Sequence, residues 1–173
     1  MVNTSLSGST PSFPAEEHDH GDCVALALAQ AAEICLSRGV RLTALRRRVL
    51  ELIWGSHRPI GAYEILDILG TERQGAAPPT VYRTLDFLLA QGLIHRIEHL
   101  NAYMGCCTPG MPHAGQFLVC RTCGAAAEIN DGRIEDAIQS SATEAGFSVA
   151  RPTIEVEGIC PHCRDDERSP SHG

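Results

Sequence analysis

Two Cys-x-x-Cys pairs, Cys120 with Cys123 and Cys160 with Cys163, narrow what this 173-residue chain can fold into more than any other feature. Each pair presents two thiols from one tight bend, and two such bends brought together complete a tetrahedral sulfur shell suited to zinc. The 36 residues between Cys123 and Cys160 must therefore leave the first bend and return to it. A zinc held by four thiolates is closed to substrate and contributes folding free energy, so its role is structural. No apolar run approaches the roughly 20 residues of a membrane span, and no basic segment precedes an apolar one at the start. A cytoplasmic location is expected. Disulfides are rare there, so paired cysteines argue for metal before cross-links.

The formal charge of -7 is unevenly distributed. Residues 1–23 hold four acids and no base, residues 24–100 hold nine Arg against seven acids, and residues 101–173 hold five Arg against ten acids. Only the middle segment is basic, and without Lys every cation is an Arg fork able to grip phosphate or a guanine edge. The first 22 residues mix Ser, Thr, Gly, Pro and acids without a period and read as a flexible tail, as do residues 164–173. His18, Asp19 and His20 read as solvated tail residues.

Between the tails the periodicity is helical. Residues 24–37 are apolar and Ala-rich and stop at Gly39. Leu42, Leu45, Val49, Leu52 and Ile53 recur at spacings of three and four, with Arg46, Arg47 and Arg48 facing elsewhere. Tyr63, Ile65, Leu66 and Leu69 suggest a third helix, and Pro78 and Pro79 open a fourth that buries Val81, Leu85, Leu88 and Leu89. Thr80, Tyr82, Arg83 and Thr84 then lie near its exposed N-terminal end, the part that a recognition helix offers to a major groove. After Gly92, LIHRIEH and AYMGC read as two strands of a hairpin wing. This pattern is a winged helix or, without nucleic acid, a small α+β domain with a solvated face. Downstream, QFLVC and AAAEI are short strands, residues 133–145 have helical composition, and RPTIEVEGI is a strand leading into the second Cys turn. That strand-helix-strand excursion returns the chain to its starting edge.

The segments RLTALRRRVLELI, PPTVYRTLDFLLAQGLIHRIE, FLVCRTCG and EGICPHC resemble the ferric uptake regulator family, and most nearly its zinc uptake regulator branch, over roughly residues 24–163. The resemblance implies an α+β fold: an N-terminal winged helix-turn-helix DNA-binding domain followed by a small α/β dimerisation domain with a zinc site of four cysteines. The expected boundaries are a flexible tail over 1–23, the winged helix over 24–107, a hinge over 108–115, the dimerisation and metal-binding domain over 116–163 and a tail over 164–173. It further implies a zinc-responsive repressor, not an enzyme. As a zinc-loaded homodimer it would bind palindromic double-stranded DNA operators of zinc-uptake and zinc-homeostasis genes, with no membrane and no small-molecule substrate as partners.

In the zinc branch, the positions matching His95, Cys106, His113 and Glu128 supply a regulatory zinc site, making two zinc ions per chain. One thiolate, two imidazoles and one carboxylate suit zinc, whereas iron(II) and manganese favour harder shells. Cys107 can replace Cys106, although strand alternation points the two to opposite faces; Cys106 is chosen, and His99 could join a rearranged shell. Cys23, Cys35, His57 and His162 are assigned to packing or solvent. The resemblance makes Arg83 and Tyr82 the base-contact candidates, with Tyr63, Thr80 and Arg46 nearer the DNA backbone.

Other readings are a sister metalloregulator sensing iron, manganese or peroxide, a zinc hydrolase or deaminase, and a thiol oxidoreductase. The sensory Cys opposes the first. A deaminase needs His-x-Glu ahead of Pro-Cys-x-x-Cys, and no His-x-Glu occurs. An oxidoreductase places one Cys-x-x-Cys at a helix start within a βαβ unit, whereas these pairs sit at strand ends.

Overall fold

A computed structural model describes residue 13 and residues 20–56, 58–72, 77–111 and 113–168. The tail readings of residues 1–12, 14–19 and 169–173, with His18 and Asp19, and the assignment of His57 lie outside the described residues. Helix α1 (His20–Ser37) begins inside the stretch expected to be tail. Asp22 in its first turn complements the positive end of the helix dipole. At its end Gly39 takes φ +65°, and the amides of Gly39 and Val40 donate to the carbonyls of Leu36 and Cys35 at 3.1 and 2.9 Å. Glycine reaches this conformation without a Cβ penalty, so the helix stops there.

Helix α2 (Ala44–Trp54) starts one residue after Thr43, whose hydroxyl accepts the Arg46 amide. Val49 and Ile53 are buried as the periodicity predicts, together with Leu50, while Leu42, Leu45 and Leu52 pack partly buried against the same core. A two-residue strand β1 (Ile60–Gly61) precedes helix α3 (Ala62–Thr71). Ala62, Ile65 and Leu69 are the buried face of α3, and Tyr63 is 75% exposed rather than part of the apolar stripe. In helix α4 (Pro78–Ala90), prolines occupy the first turn and Val81, Leu85 and Leu88 are buried. Thr84, expected at the exposed end, is buried too: its hydroxyl donates to the Thr80 carbonyl at 2.9 Å, so it turns inward one helical turn below.

Strands β2 (Ile94–Ile97) and β3 (Ala102–Gly105) form the expected antiparallel hairpin. The wing has a third strand: β1 pairs with β3 through Ile60 to Tyr103 and Gly61 to Ala102, giving the order β1-β3-β2. Two residues are too short to show alternation in a sequence. Helices α1 to α4 enclose one core with Ile60, Ile94 and Tyr103 of this sheet.

The second half contains β4 (Gly115–Cys120), β5 (Ala126–Ile129), α5 (Gly132–Glu144), β6 (Thr153–Gly158) and α6 (Pro161–Arg168). Its sheet runs β5-β4-β6, with β4 antiparallel to β5 and parallel to β6. Parallel neighbours require a long crossover, here supplied by β5 and α5. Gly115, assigned to the hinge, already pairs with Thr153 in the sheet, and α6 extends into the stretch read as a tail from Arg164. The side-chain amide of buried Gln116 donates to the Asp131 carbonyl and accepts the Asp131 amide, pinning the start of α5 to β4.

A Cβ on Gly105 would lie 2.1 Å from Cε2 of Trp54, so the indole of α2 packs where β3 has no side chain. Gly105→Ala is expected to destabilise the fold by about 1–3 kcal/mol through overpacking. Denaturant unfolding followed through the single Trp checks this.

Candidate functional site

The two Cys turns meet because β4 and β6 run in the same direction and end side by side, Cys120 pairing with Gly158. The Arg121 amide then donates to the Gly158 carbonyl at 2.9 Å, holding turn against turn. Within the first turn, the Gly124 amide donates to the Cys120 carbonyl and the Cys120 amide to the Ala125 carbonyl, both at 2.8 Å. Cys160 follows β6 and Cys163 lies in the first turn of α6. The four sulfurs lie within 4.8 Å of one another, and those of Cys123 and Cys160 are 3.8 Å apart. A zinc–sulfur bond of about 2.3 Å gives a tetrahedral edge of about 3.8 Å, so the spacing fits that ion. Burial pushes the Cys120 thiol up, but amides of Cys123, Cys160 and Thr122 outweigh it and bring it down to about 6. Burial and neighbouring sulfurs hold Cys163 above its ordinary value. One sulfur is thus prepared as a thiolate.

A second cluster lies between the wing and the second sheet. His95 comes from β2, Cys106 directly follows β3, His113 precedes β4, and Glu128 belongs to β5; one ligand atom from each lies within 4.8 Å of the others. Nε2 of His113 is 3.1 Å from Nε2 of His95 and 2.7 Å from Oε1 of Glu128, which is 2.9 Å from Nε2 of His95. The Cys106 sulfur is 3.5 Å from the same His113 nitrogen. One neutral imidazole can donate its Nε2–H to the other, but with Nδ1 committed elsewhere the Nε2 lone pair of His113 faces the carboxylate oxygen of Glu128, so the donor set suits a cation. Nδ1 of His113 donates to the Met111 carbonyl at 2.8 Å, reserving Nε2 for the cluster.

Glu128 divides its oxygens. Oε2 accepts the Cys107 amide at 2.8 Å, leaving Oε1 for both imidazoles. The carboxyl lies below its ordinary value even though burial pushes it up, because bonds from His95, the Cys107 amide and His113 prevail. Cys106 is buried and sits in the cluster, whereas Cys107 is exposed and contributes an amide there. Burial, with the adjacent Glu128 carboxylate, pushes the Cys106 thiol up to about 12. Cys35 is buried in the helical core, as assigned, and Cys23 is half-buried. The ring of His99 pairs with Glu155 outside the cluster, and His162 is on the exposed face of α6.

On the nucleic-acid side, Thr80, Tyr82 and Arg83 are exposed in the first turns of α4, and Tyr63 is exposed in the first turn of α3. No ion pair joins Arg83 to Asp86 among the described residues. Arg46 is half-buried: its guanidinium stacks 3.4 Å above the Phe87 ring and donates to the Arg41 carbonyl. Two contributors lie outside the expected site residues: Phe117, whose ring packs edge-on at 5.2 Å against His95, and the Cys107 amide; the continuous apolar run from Phe117 to Cys120 marks a buried strand without singling out the first, and nothing in sequence signals the second.

Residues 37–157 match the model of the ferric uptake regulator family. The chain is 41% identical over 141 residues to the zinc uptake regulation protein of Escherichia coli K12, covering 81% of this chain and 82% of that one. It is similar to a solved zinc uptake regulator complexed with zinc and DNA, with a TM-score of 0.80 and 39% identity over 84% of this chain and 98% of the other. Against the holo structure of XcZur the TM-score is 0.74 at 39% identity, over 80% of this chain and 96% of the other. Against its apo structure the score is 0.50 at 38% identity, over 83% and 99%.

A thiol raised to about 12 is protonated at neutral pH, so a metal must displace the Cys106 proton. The zinc affinity of this cluster is therefore expected to rise by about tenfold per pH unit between pH 7 and 8, with about one proton released per zinc. Calorimetry in two buffers of different ionisation enthalpy measures this on protein retaining its four-thiolate metal; Cys106→Ser should lose the proton release and most of the affinity, and a pH-independent affinity would contradict it.

Proposed function

Because the chain belongs to the ferric uptake regulator family, we propose that it is a zinc-responsive transcriptional repressor whose zinc-loaded homodimer binds palindromic operators of zinc-uptake and zinc-homeostasis genes. The observation that carries the sensing role is the cluster of His95, Cys106, His113 and Glu128, with donors drawn from the wing, the connecting segment and the second sheet. The reading divides the chain into a winged helix over 24–107, a hinge over 108–115 and a dimerisation and metal-binding domain over 116–163. It assigns two zinc ions per chain, one structural on Cys120, Cys123, Cys160 and Cys163 and one regulatory on the mixed cluster.

Bound regulatory zinc supplies a cross-link with one positive centre shared by four donors. His95 and Cys106 hold the wing end, Glu128 holds the sheet end, and His113 fixes the connecting segment between them. Without that tie the two reading heads of a dimer sample many relative orientations, and only a fraction match two half-sites on one DNA face. The better match to the holo than to the apo form of XcZur supports the described arrangement as the tied one. By linkage, operator binding must tighten zinc binding by the same factor that zinc tightens operator binding.

The dimer reading draws on α5, which has no buried residue in the single chain. Ile134, Ala137, Ile138, Ala142 and Phe147 line an apolar concavity there of a kind that a second copy covers. For DNA, Arg83 and Tyr82 are the base readers, with Tyr63 and Thr80 on the backbone. Arg46, occupied by Phe87 and Arg41, must give up those contacts to reach a phosphate. No described helix is long and apolar enough to cross a membrane, and operator binding puts the working protein in the cytoplasm. A sister role in sensing iron, manganese or peroxide is disfavoured by the soft thiolate of Cys106. Catalysis is disfavoured because protein donors complete both four-residue shells.

The deciding experiment is a gel-shift titration of buffered free zinc against a zinc-uptake promoter, starting from protein that retains about one zinc per chain, with iron(II) and manganese as comparisons. Binding should appear as zinc rises, and His95→Ala should lose that dependence; a variant retaining it would sink the clamp. Separately, Arg83→Ala at saturating zinc should weaken operator binding by about 1–3 kcal/mol and relax preference at one base pair of each half-site. Competition with single-base operator variants reads both effects.

A further inference from the structure

Glu128, Phe117 and Glu155 stand in one row across the second sheet, since Phe117 pairs with Glu128 on β5 and with Glu155 on β6. Directly paired residues project to the same face. Each member of the row meets a residue of the wing at every second position: Glu128 meets His95, Phe117 packs with Ile97 and with the His95 ring, and Glu155 meets His99. Two histidine–carboxylate pairs therefore flank one apolar contact. Only the first pair belongs to the metal cluster.

Glu155 uses both of its oxygens on the wing turn. Oε1 accepts the Glu98 amide at 2.5 Å; Oε2 accepts the His99 amide at 3.2 Å and the His99 Nδ1–H at 2.5 Å. Its side chain is 15% exposed. Burial pushes the carboxyl up, yet bonds from His99 and the two amides hold it below its ordinary value, so it is a carboxylate at neutral pH. Strand spacing puts Glu155 about 10 Å from Glu128 along the row. A metal tie at one end of such a row leaves the wing free to pivot about it, and a second tie at the far end removes that freedom.

We infer that Glu155 is a positioning residue that latches the wing turn to β6 independently of metal, and so sets the concentration of free zinc at which the protein engages its operator. The inference rests on the zinc-sensing reading above. A latch that raises the metal-free population of the closed arrangement lowers the zinc needed to complete closure by the same factor. Once zinc saturates its cluster, the latch adds little, because closure is already nearly full. This separates positioning from plain support of the fold, which saturating zinc would not restore.

The test compares Glu155→Ala, Glu155→Gln and His99→Ala with the wild-type full chain, each retaining its four-thiolate metal. Glu155→Ala should move the midpoint of zinc-dependent operator binding to about tenfold higher free zinc, and His99→Ala to about threefold higher, reflecting bonds to a charged acceptor. Glu155→Gln keeps one acceptor oxygen and should recover part of the shift. Operator affinity at saturating zinc should stay within about twofold in all three. Unmoved midpoints in Glu155→Ala and His99→Ala would overturn the latch, as would a saturating affinity that falls in step with the midpoint. Amide hydrogen exchange at Glu98 and His99 in protein without the regulatory metal supplies a readout free of DNA. Exchange should quicken in Glu155→Ala, and unchanged exchange would overturn the latch. A wild-type protein indifferent to zinc on the operator would sink the sensing reading, and the exchange experiment would still decide the latch.

Discussion

Parallel pairing of β4 with β6 is the constraint on which most of this molecule hangs. Parallel strands end at the same edge of a sheet, so Cys120 and Cys160 arrive together, and the amide of Arg121 locks one turn to the other. The same pairing forces a crossover, which β5 and α5 provide and which Gln116 pins at its start through Asp131. It also puts Glu155 in line with Phe117 and Glu128, at the face where the wing arrives. A zinc on the four thiolates would hold together strands joined by no disulfide, so that site and sheet support each other.

The mixed cluster works by a different balance. Its donors are held close by β2 and β5, by the end of β3 and by the segment leading into β4, and its buried thiol and carboxylate are solvated by neighbours rather than by water. Such a site is costly in isolation, and a cation relieves the opposition of the His113 Nε2 lone pair and the Glu128 carboxylate. The side chains beside it are apolar: Phe117, Ile97, Val119 and Ala126 form a small core that joins wing to sheet. That core sets the distance between the two bodies. The polar groups at either end of the row decide how firmly they stay in register.

The reading head spends its apolar residues inward. Val81, Leu85 and Leu88 of α4 meet α2 and α3 in one core, so Tyr82 and Arg83 are left outward by the helical period. Arg46 shows the limit of that argument, because its charge is engaged by an aromatic face and a carbonyl from its own chain. Helix α5 shows the converse. Its apolar positions recur at helical spacing, yet the single chain buries none of them, and the face remains for another surface to cover.

Much of this was legible in the chain. Four helices, the hairpin, the later strands and the Cys pairs follow from periodicity, proline and glycine placement and thiol spacing, because each depends on residues close in sequence. The resemblance brought together His95, Cys106, His113 and Glu128, which no local rule joins. Tertiary structure decided the rest. Strand β1 exists only because β3 offers Ile60 and Gly61 a partner, and Thr84 is buried because it shares the face of α4 that carries Val81 and Leu88 into the core. Cys107 lends an amide because Glu128 faces it, and His99 meets Glu155 across a separation of 56 residues. Short-range pattern determines which residues can be helix, strand or ligand; which of them meet is settled by strand register and packing, whose energies are summed over partners far apart in the chain.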